Sequence, residues 1–375
     1  MTGTNDLNIT AARSGLTPTI WSDQFFSEYV RTNQFSRYFG TSDSSIIQLK
    51  DDLTRKAGDS VVFATVRRLV GAGVTGNTVL RGNEELINAR SLKVSVDVIR
   101  HAVAVSDWDE QKSVIDLLQA GRDGLMVWAM EKIRNDIISA LGSITADADV
   151  ATTLAAASNA AMDTWVTNNA DRVLFGSAVA NHVSNDYSTS IATVDNTADK
   201  MTCAVLSLAK RRARNASPHI RPTRVNNDEE WFVVLMPSIP FRDLRADPVM
   251  IAAQQYANVR GADNPLFTSG DLVWDGMIIR EIPELGVLTA GGTNAHATID
   301  TARTYLLGAQ AVGIAWAQRT TARTQNDDYQ FMHGAGIMEI RGVQKLRWGT
   351  DATTDKTAPK DHGIVTIFTS AVADA

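Results

Sequence analysis

The sequence predicts an α+β fold, on three observations. A glycine-rich stretch of about 20 residues, Gly71–Arg90, separates two strand-like runs and is far longer than a hairpin needs. An uninterrupted helical pattern, Trp108–Leu141, follows the second of those runs. Downstream, strands and helices alternate neither as strict βαβ units nor with the even spacing of an all-β chain.

Met1–Thr19 is small and polar, with Gly15 and Pro18, and reads as a poorly ordered arm. Trp21, Phe25 and Tyr29 then recur at helical spacing, so this aromatic face packs either on its own core or across a neighbour. A first strand is expected at Ser60–Leu69 and a second at Ser91–Val105. In the second, Leu92, Val94, Val96 and Val98 alternate with polar residues, and the phase slips at Ile99, which predicts a bend or bulge near Val98–His101. The loop between them has too few large apolar groups to make a core of its own. It is therefore expected to pack on another subunit, the signature of an assembly protein.

For the long helix, Asp107 and Glu110 have capping-box spacing and Gly142 stands at the expected stop. Trp108–Leu141 would span roughly 50 Å. Two apolar stripes run along it, Val114-Leu118-Gly121-Leu125-Trp128 and Met126-Met130-Ile133-Ile137-Leu141, which predicts cover on more than one side. After Gly142 the composition turns to Ala, Thr, Asp and Asn, a domain boundary. Met201, Ala204, Val205 and Leu208 mark a helix ending in KRRARN, and Trp231–Met236 reads as a buried strand. Asp247 and Pro248 read as N-cap and first residue of a helix that Gly261 closes. Further strands are expected at Asp271–Ile282, Gly336–Trp348 and Gly363–Thr369.

Composition narrows the function classes. Hydrophobic residues at 44% and charged residues at 21% are ordinary for a globular chain. A net charge of −6 argues against bulk electrostatic capture of nucleic acid. No apolar run approaches the ~20 residues of a membrane span, and nothing leader-like opens the chain. A single cysteine, Cys203, forbids an internal disulfide framework, so folding is expected in a cytoplasm.

Catalytic motifs fail on inspection. Gly71-Ala-Gly-Val-Thr-Gly76 matches a dinucleotide-binding pattern, but Asn77 to Gly82 is no helix start, and a phosphate-binding loop would need a lysine where Asn77 stands. His101, His182, His219, His296, His333 and His362 are scattered without metal-ligand spacing. Asp327-Asp328 reads as a solvated turn. Lys210, Arg211, Arg212 and Arg214 read as a helix end favourable to its dipole, with contact to DNA left open. No catalytic residue, cofactor or metal is expected.

From Met236 onward the wording becomes specific: MPSIPFRDLRADPVM, RGADNPLFTSGDLVWDGMIIREIPEL, LLGAQAVGIAWAQRT, DDYQFMHGAGIMEIRGVQKLRWGT and KDHGIVTIF. With RYFG at Arg37–Gly40, AGDSVVF at Ala57–Phe63 and GNEE at Gly82–Glu85, the chain resembles the major capsid proteins of tailed bacteriophages, in the branch typified by the coat protein of phage N-four. The resemblance implies the Hong Kong 97-type capsid fold and the function of a self-assembling coat. It places an arm at 1–50, the extended loop and its strands at 51–106, a spine helix at 107–142, a mainly axial domain at 143–335 and peripheral strands at 336–375.

Expected contacts between subunits are Trp21, Phe25 and Tyr29 in the arm, and Gly71, Gly73, Gly76, Asn77, Arg81, Glu84 and Glu85 in the loop. The implied partners are further copies in hexamers and pentamers, a scaffold, a portal, a decoration or cement protein, and double-stranded DNA held without sequence specificity. The implied location is the virion, assembled in the host cytoplasm. The alternative is a cellular nanocompartment shell on the same fold. Some relatives weld their shells through lysine–asparagine bonds, but no lysine stands between Lys56 and Lys93, so a non-covalent shell is expected.

Overall fold

A computed structural model describes residues 35–51, 60–66, 69, 71–85, 89–113, 116–145, 151–225, 229–256, 272–349 and 358–373. Trp21, Phe25 and Tyr29 of the expected arm lie outside the described residues, as do Asn88, Val114 and Gly261. The chain opens with β1 (Phe39–Gly40) and β2 (Ile47–Lys50). A two-stranded sheet follows, β3 (Ser60–Val66) with β4 (Ala89–Ser95), then β5 (Asp97–Ser106), α1 (Asp107–Lys112) and α2 (Leu117–Leu141). Next come β6 (Ser143–Ile144), β7 (Thr152–Thr153), α3 (Asn159–Asn168), β8 (Val173–Phe175), α4 (Tyr187–Ala192), α5 (Cys203–Asn215), β9 (Thr223–Val225) and β10 (Glu229–Met236). After α6 (Ser238–Ala246) and α7 (Pro248–Tyr256), the remaining strands are β11 (Leu272–Trp274), β12 (Met277–Glu281), β13 (Val287–Leu288), β14 (Thr301–Leu307), β15 (Val312–Asp327), β16 (Met332–Lys345), β17 (Arg347–Trp348), β18 (Lys360–Asp361) and β19 (Ile364–Ser370).

These elements form two compact units. The first is built on a five-stranded sheet in the order β1-β2-β15-β16-β5. β16 runs antiparallel to β5 over ten pairs, from Met332↔Ser106 to Arg341↔Asp97. His333, Ala335, Ile337, Glu339 and Arg341 alternate as its buried face. Against that face lies α2, where a Cβ on Gly121 would sit 2.9 Å from Val103 Cγ1 and the Trp128 ring lies 4.6 Å from that of His101. The Arg341 guanidinium pairs with Asp136 on α2 and with Glu339 beside it, each at 2.7 Å.

The second unit holds an eight-stranded sheet whose main path is β11-β12-β10-β14-β19-β8. Phe232, Val234, Leu306, Val365 and Ile367 join Val205, Leu206 and Ala209 of α5 in one apolar cluster. Phe175 and Phe368 join Trp165 of α3 and Ile191 of α4 in another. Alternate side chains of β19 thus enter different clusters, and all seven of its residues are buried. Such a strand reads as a continuous apolar run, which is how IVTIF appears in the sequence.

Several expectations need correction. The long helix is interrupted: Ser113 is extended (φ −85°, ψ 141°), and its N–H bonds to the Asp109 carbonyl at 3.1 Å. Asp116 makes a second start, its carboxylate accepting the Gln119 N–H at 2.8 Å. The true spine, α2, is about 37 Å long. At its head, Ser106 and not Asp107 is the cap of α1: its Oγ accepts the Asp109 N–H at 3.1 Å. Along α2 only one line is deeply buried, Leu125, Ala129, Ile133, Ile137 and Leu141, while Val127 is half exposed. Two fully covered stripes are therefore not present in the single subunit.

The strand break also falls earlier than Val98–His101, at Val96 between β4 and β5, and Val98 is exposed instead of buried with Leu92 and Val94. Finally, residues 336–375 do not stay together. β16 pairs with β5 in the first sheet, whereas β19 lies between β14 and β8 in the second. Strand pairing is a long-range choice that the local pattern of either strand leaves open.

Candidate assembly surface

The loop between β3 and β4 is where the sequence places most of the subunit contacts. Its described residues, 71–85, are exposed apart from the half-buried Val74. Turns at Gly76–Asn77 and Arg81–Gly82 replace any helix start, and Gly76 and Gly82 take positive φ (68° and 88°), which an L side chain rarely adopts. The glutamates hold this shape. Glu85 Oε2 accepts the Gly71 N–H at 2.6 Å and closes the neck of the loop. Glu84 Oε2 accepts the Gly82 N–H at 2.6 Å. Asn83 adds two bonds, from its backbone N–H to the Leu80 carbonyl and from its amide to the Val79 carbonyl, both 2.9 Å.

The structure thus brings Gly71 to Glu85 and Gly82 to Glu84, and leaves Gly73, Asn77 and Arg81 exposed on the outside. Sequence reasoning passed over one apolar pair: Val79 and Leu80 are 68% and 61% exposed in a loop that is otherwise mostly polar. The signal was an apolar pair among glycines and asparagines. Chemically this loop can bury apolar surface against a protein. Its carboxylates are occupied by backbone amides.

Most other candidates are paired within the fold, while Arg211 of the basic cluster is exposed. In the basic cluster on α5, Lys210 bonds to the Asp275 carboxylate at 2.8 Å, Arg212 to the Ala170 carbonyl, and Arg214 lies 4.0 Å from Glu230. His333 sits between Asp107 Oδ1 (2.7 Å) and Asn326 Oδ1 (3.1 Å). His296 Nδ1 accepts the N–H groups of Thr298 and Ile299. Asp327-Asp328 lies at the β15–β16 turn, as expected. Among the described residues no group of three metal-ligating side chains converges, and no helix is long and apolar enough to cross a membrane.

An α+β chain whose loop carboxylates are spent on holding that loop out in solvent fits a structural protein of the shell-forming class. The chain belongs to the phage capsid protein family, whose model matches residues 9–373. It is similar to the major capsid protein of Pseudomonas phage KPP25, 26% identical over 363 residues that cover 94% of this chain and 95% of that one. Its fold matches the capsid of cyanophage Pam1 with a TM-score of 0.80 at 31% identity, over 100% of this chain and 99% of that one. The capsid of Ralstonia phage GP4 matches with a TM-score of 0.71 at 23% identity, over 92% of each. The function is that of a phage major capsid protein, a component of the virion, and the nanocompartment alternative is set aside.

Proposed function

We propose that this coat protein adopts the Hong Kong 97-type fold and assembles into hexamers and pentamers that close an icosahedral head around double-stranded DNA. The observation that carries this reading is the loop at 71–85, held open by its own glutamates with Val79 and Leu80 presented to solvent. Head-to-tail contacts generate rings, and repetition over many neighbours makes moderate contacts sufficient. A standard interface buries ~1,600 Å²; the loop and the arm at 1–50 are where that area is expected.

In this reading the unit with α2 is the peripheral domain and the unit with the eight-stranded sheet is the axial domain. The shell is non-covalent, since the loop carries Asn77 and Asn83 but no lysine. A scaffold, a portal and a cement protein complete the head, and DNA is enclosed without sequence-specific grip.

Deleting Thr75–Arg90 tests the reading. The shortened chain is expected to stay soluble and folded by circular dichroism and to form no closed shells by electron microscopy. Normal shells from the deletion would refute it.

A further inference from the structure

The five-stranded sheet has a second face, opposite α2, that carries a trough. Since Val103 and His101 face α2, their neighbours on β5 face away, and so do the β16 residues paired with those neighbours. The trough, of about 600 Å³, has a floor of Ala102, Ala104, Gly334 and Gly336 with Arg100 and Arg323 as walls. The middle of the floor has no bulk, since Ala104 pairs with Gly334 and Ala102 with Gly336, and Met338 lies opposite Arg100 at one end. Both arginines and both alanines are exposed. This volume lies within the ~300–1,000 Å³ that accepts a group of small-molecule size.

The same chain carries a matching projection. At the β15–β16 turn, Asp328, Tyr329 and Gln330 all have positive φ (49°, 52° and 75°), although none is glycine. Non-glycine residues hold such a backbone only where the surrounding structure over-determines it. The result is a fully exposed Tyr329 (104%) beside Asp327 and Asp328, with Phe331 44% exposed behind it. A phenol ring flanked by carboxylates is the complement of two guanidinium groups above a smooth floor. Carboxylates pair with guanidinium through charge-assisted hydrogen bonds, and the ring stacks on it.

We infer that the Asp327–Tyr329 tip of one copy docks in the Arg100–Arg323 trough of a second copy of this chain. The inference rests on the assembly reading and specifies one of its contacts. Docking of each tip into the trough of the next copy is a heterologous contact, which builds rings.

The test uses assembled shells of the full chain with Cys203, which is buried, left in place. Tyr329→Cys and Ala102→Cys are prepared separately and also co-assembled, then oxidised and run on a non-reducing gel. A disulfide needs Cα atoms within roughly 7 Å, so it reports docking directly. The expected result is a linked dimer in the co-assembled shells alone. Linkage in Tyr329→Cys shells by themselves would mean that tips meet tips, and would overturn the inference. So would intact shells with no linkage in any preparation. Wild-type chains that form no shells under the same conditions would overturn the assembly reading, and this contact with it.

A charge-reversal pair covers the case in which a cysteine variant fails to fold. Arg323→Glu is expected to lower shell yield about tenfold, as loss of a desolvated charge pair does, and Asp328→Arg in the same chain to restore it. Equal yields from wild type and Arg323→Glu would overturn the contact. Loss from Arg323→Glu without rescue would assign the trough to another anion, such as a DNA phosphate, and overturn it as well.

Discussion

Lys345 Nζ lies 2.7 Å from Asp361 Oδ2, with both side chains at most 4% exposed. Trp165 Nε1–H donates to the same oxygen at 3.2 Å, and the Asp361 N–H donates to Asn169 Oδ1 at 2.8 Å. Arg172 donates to the Asp361 carbonyl. Burial pushes the Lys345 ammonium below its usual range, and the Asp361 charge opposes that shift. The pair fastens the end of β16 to β18 and to α3 within the second unit.

Breaking this pair on one side strands a buried charge. Lys345→Met or Asp361→Asn alone is expected to cost about 3–5 kcal/mol. The double variant should cost less than the sum, because no uncompensated charge remains and the new amide oxygen would still accept from Trp165. Urea unfolding of the unassembled chain measures all three.

Two glycines on α2 should respond in opposite directions. Gly124 has nothing within 4 Å of the place a methyl group would occupy, so Gly124→Ala is expected to raise stability by about 0.5–1 kcal/mol. Gly121→Ala would press on the stiff Val103 side chain at 2.9 Å and should cost roughly 1–3 kcal/mol. Parallel thermal melts of the two variants decide the point.

The cap on α1 is a single hydroxyl. Ser106→Ala should lower stability by about 1 kcal/mol, and Ser106→Thr should retain most of it. A melting shift in Ser106→Thr as large as in Ser106→Ala would show that the cap bond contributes nothing.

Alkaline pH should expose the buried thiol. Burial, aided by the Asp247 charge, pushes the Cys203 thiol from 9.0 up to about 12. A group whose folded pKa is raised contributes stability that is full below its unfolded value and lost as pH rises through the folded one. Wild type is therefore expected to lose stability relative to Cys203→Ala between pH 9 and about 12. Taking the difference removes the opposite trend of Lys345, whose lowered pKa makes its own contribution rise with pH over the alkaline range. A flat difference curve across that range would contradict the assignment.

Much of the local structure was legible in the residues. Asp247 and Pro248 do open α7, Gly142 does follow the last residue of the spine, and Trp231–Met236 lies in a buried strand. Each rests on contacts within a few residues, such as the Val249 N–H bonded to Asp247 Oδ1 at 3.0 Å. The spine was overread because Ser113 and Asp116 interrupt a pattern that is helical on both sides. In the loop, the glycine-rich composition was readable. That Glu84 and Glu85 would fold back on Gly82 and Gly71 was not, since an exposed glutamate looks the same whichever amide it meets.

By itself the sequence determined the α+β class, the positions of nine of the nineteen described strands, the long exposed loop and, through the order of its motifs, the family, while β14 and the long β15 were not read as strands. Only the tertiary structure decided which strands share a sheet, that Lys345 meets Asp361, and that the tip and the trough lie on one chain. Periodicity and capping act over one or two turns of chain. Strand partners and buried ion pairs join residues brought together by the collapse of the whole core, where burial makes a lone charge costly and a matched one tolerable.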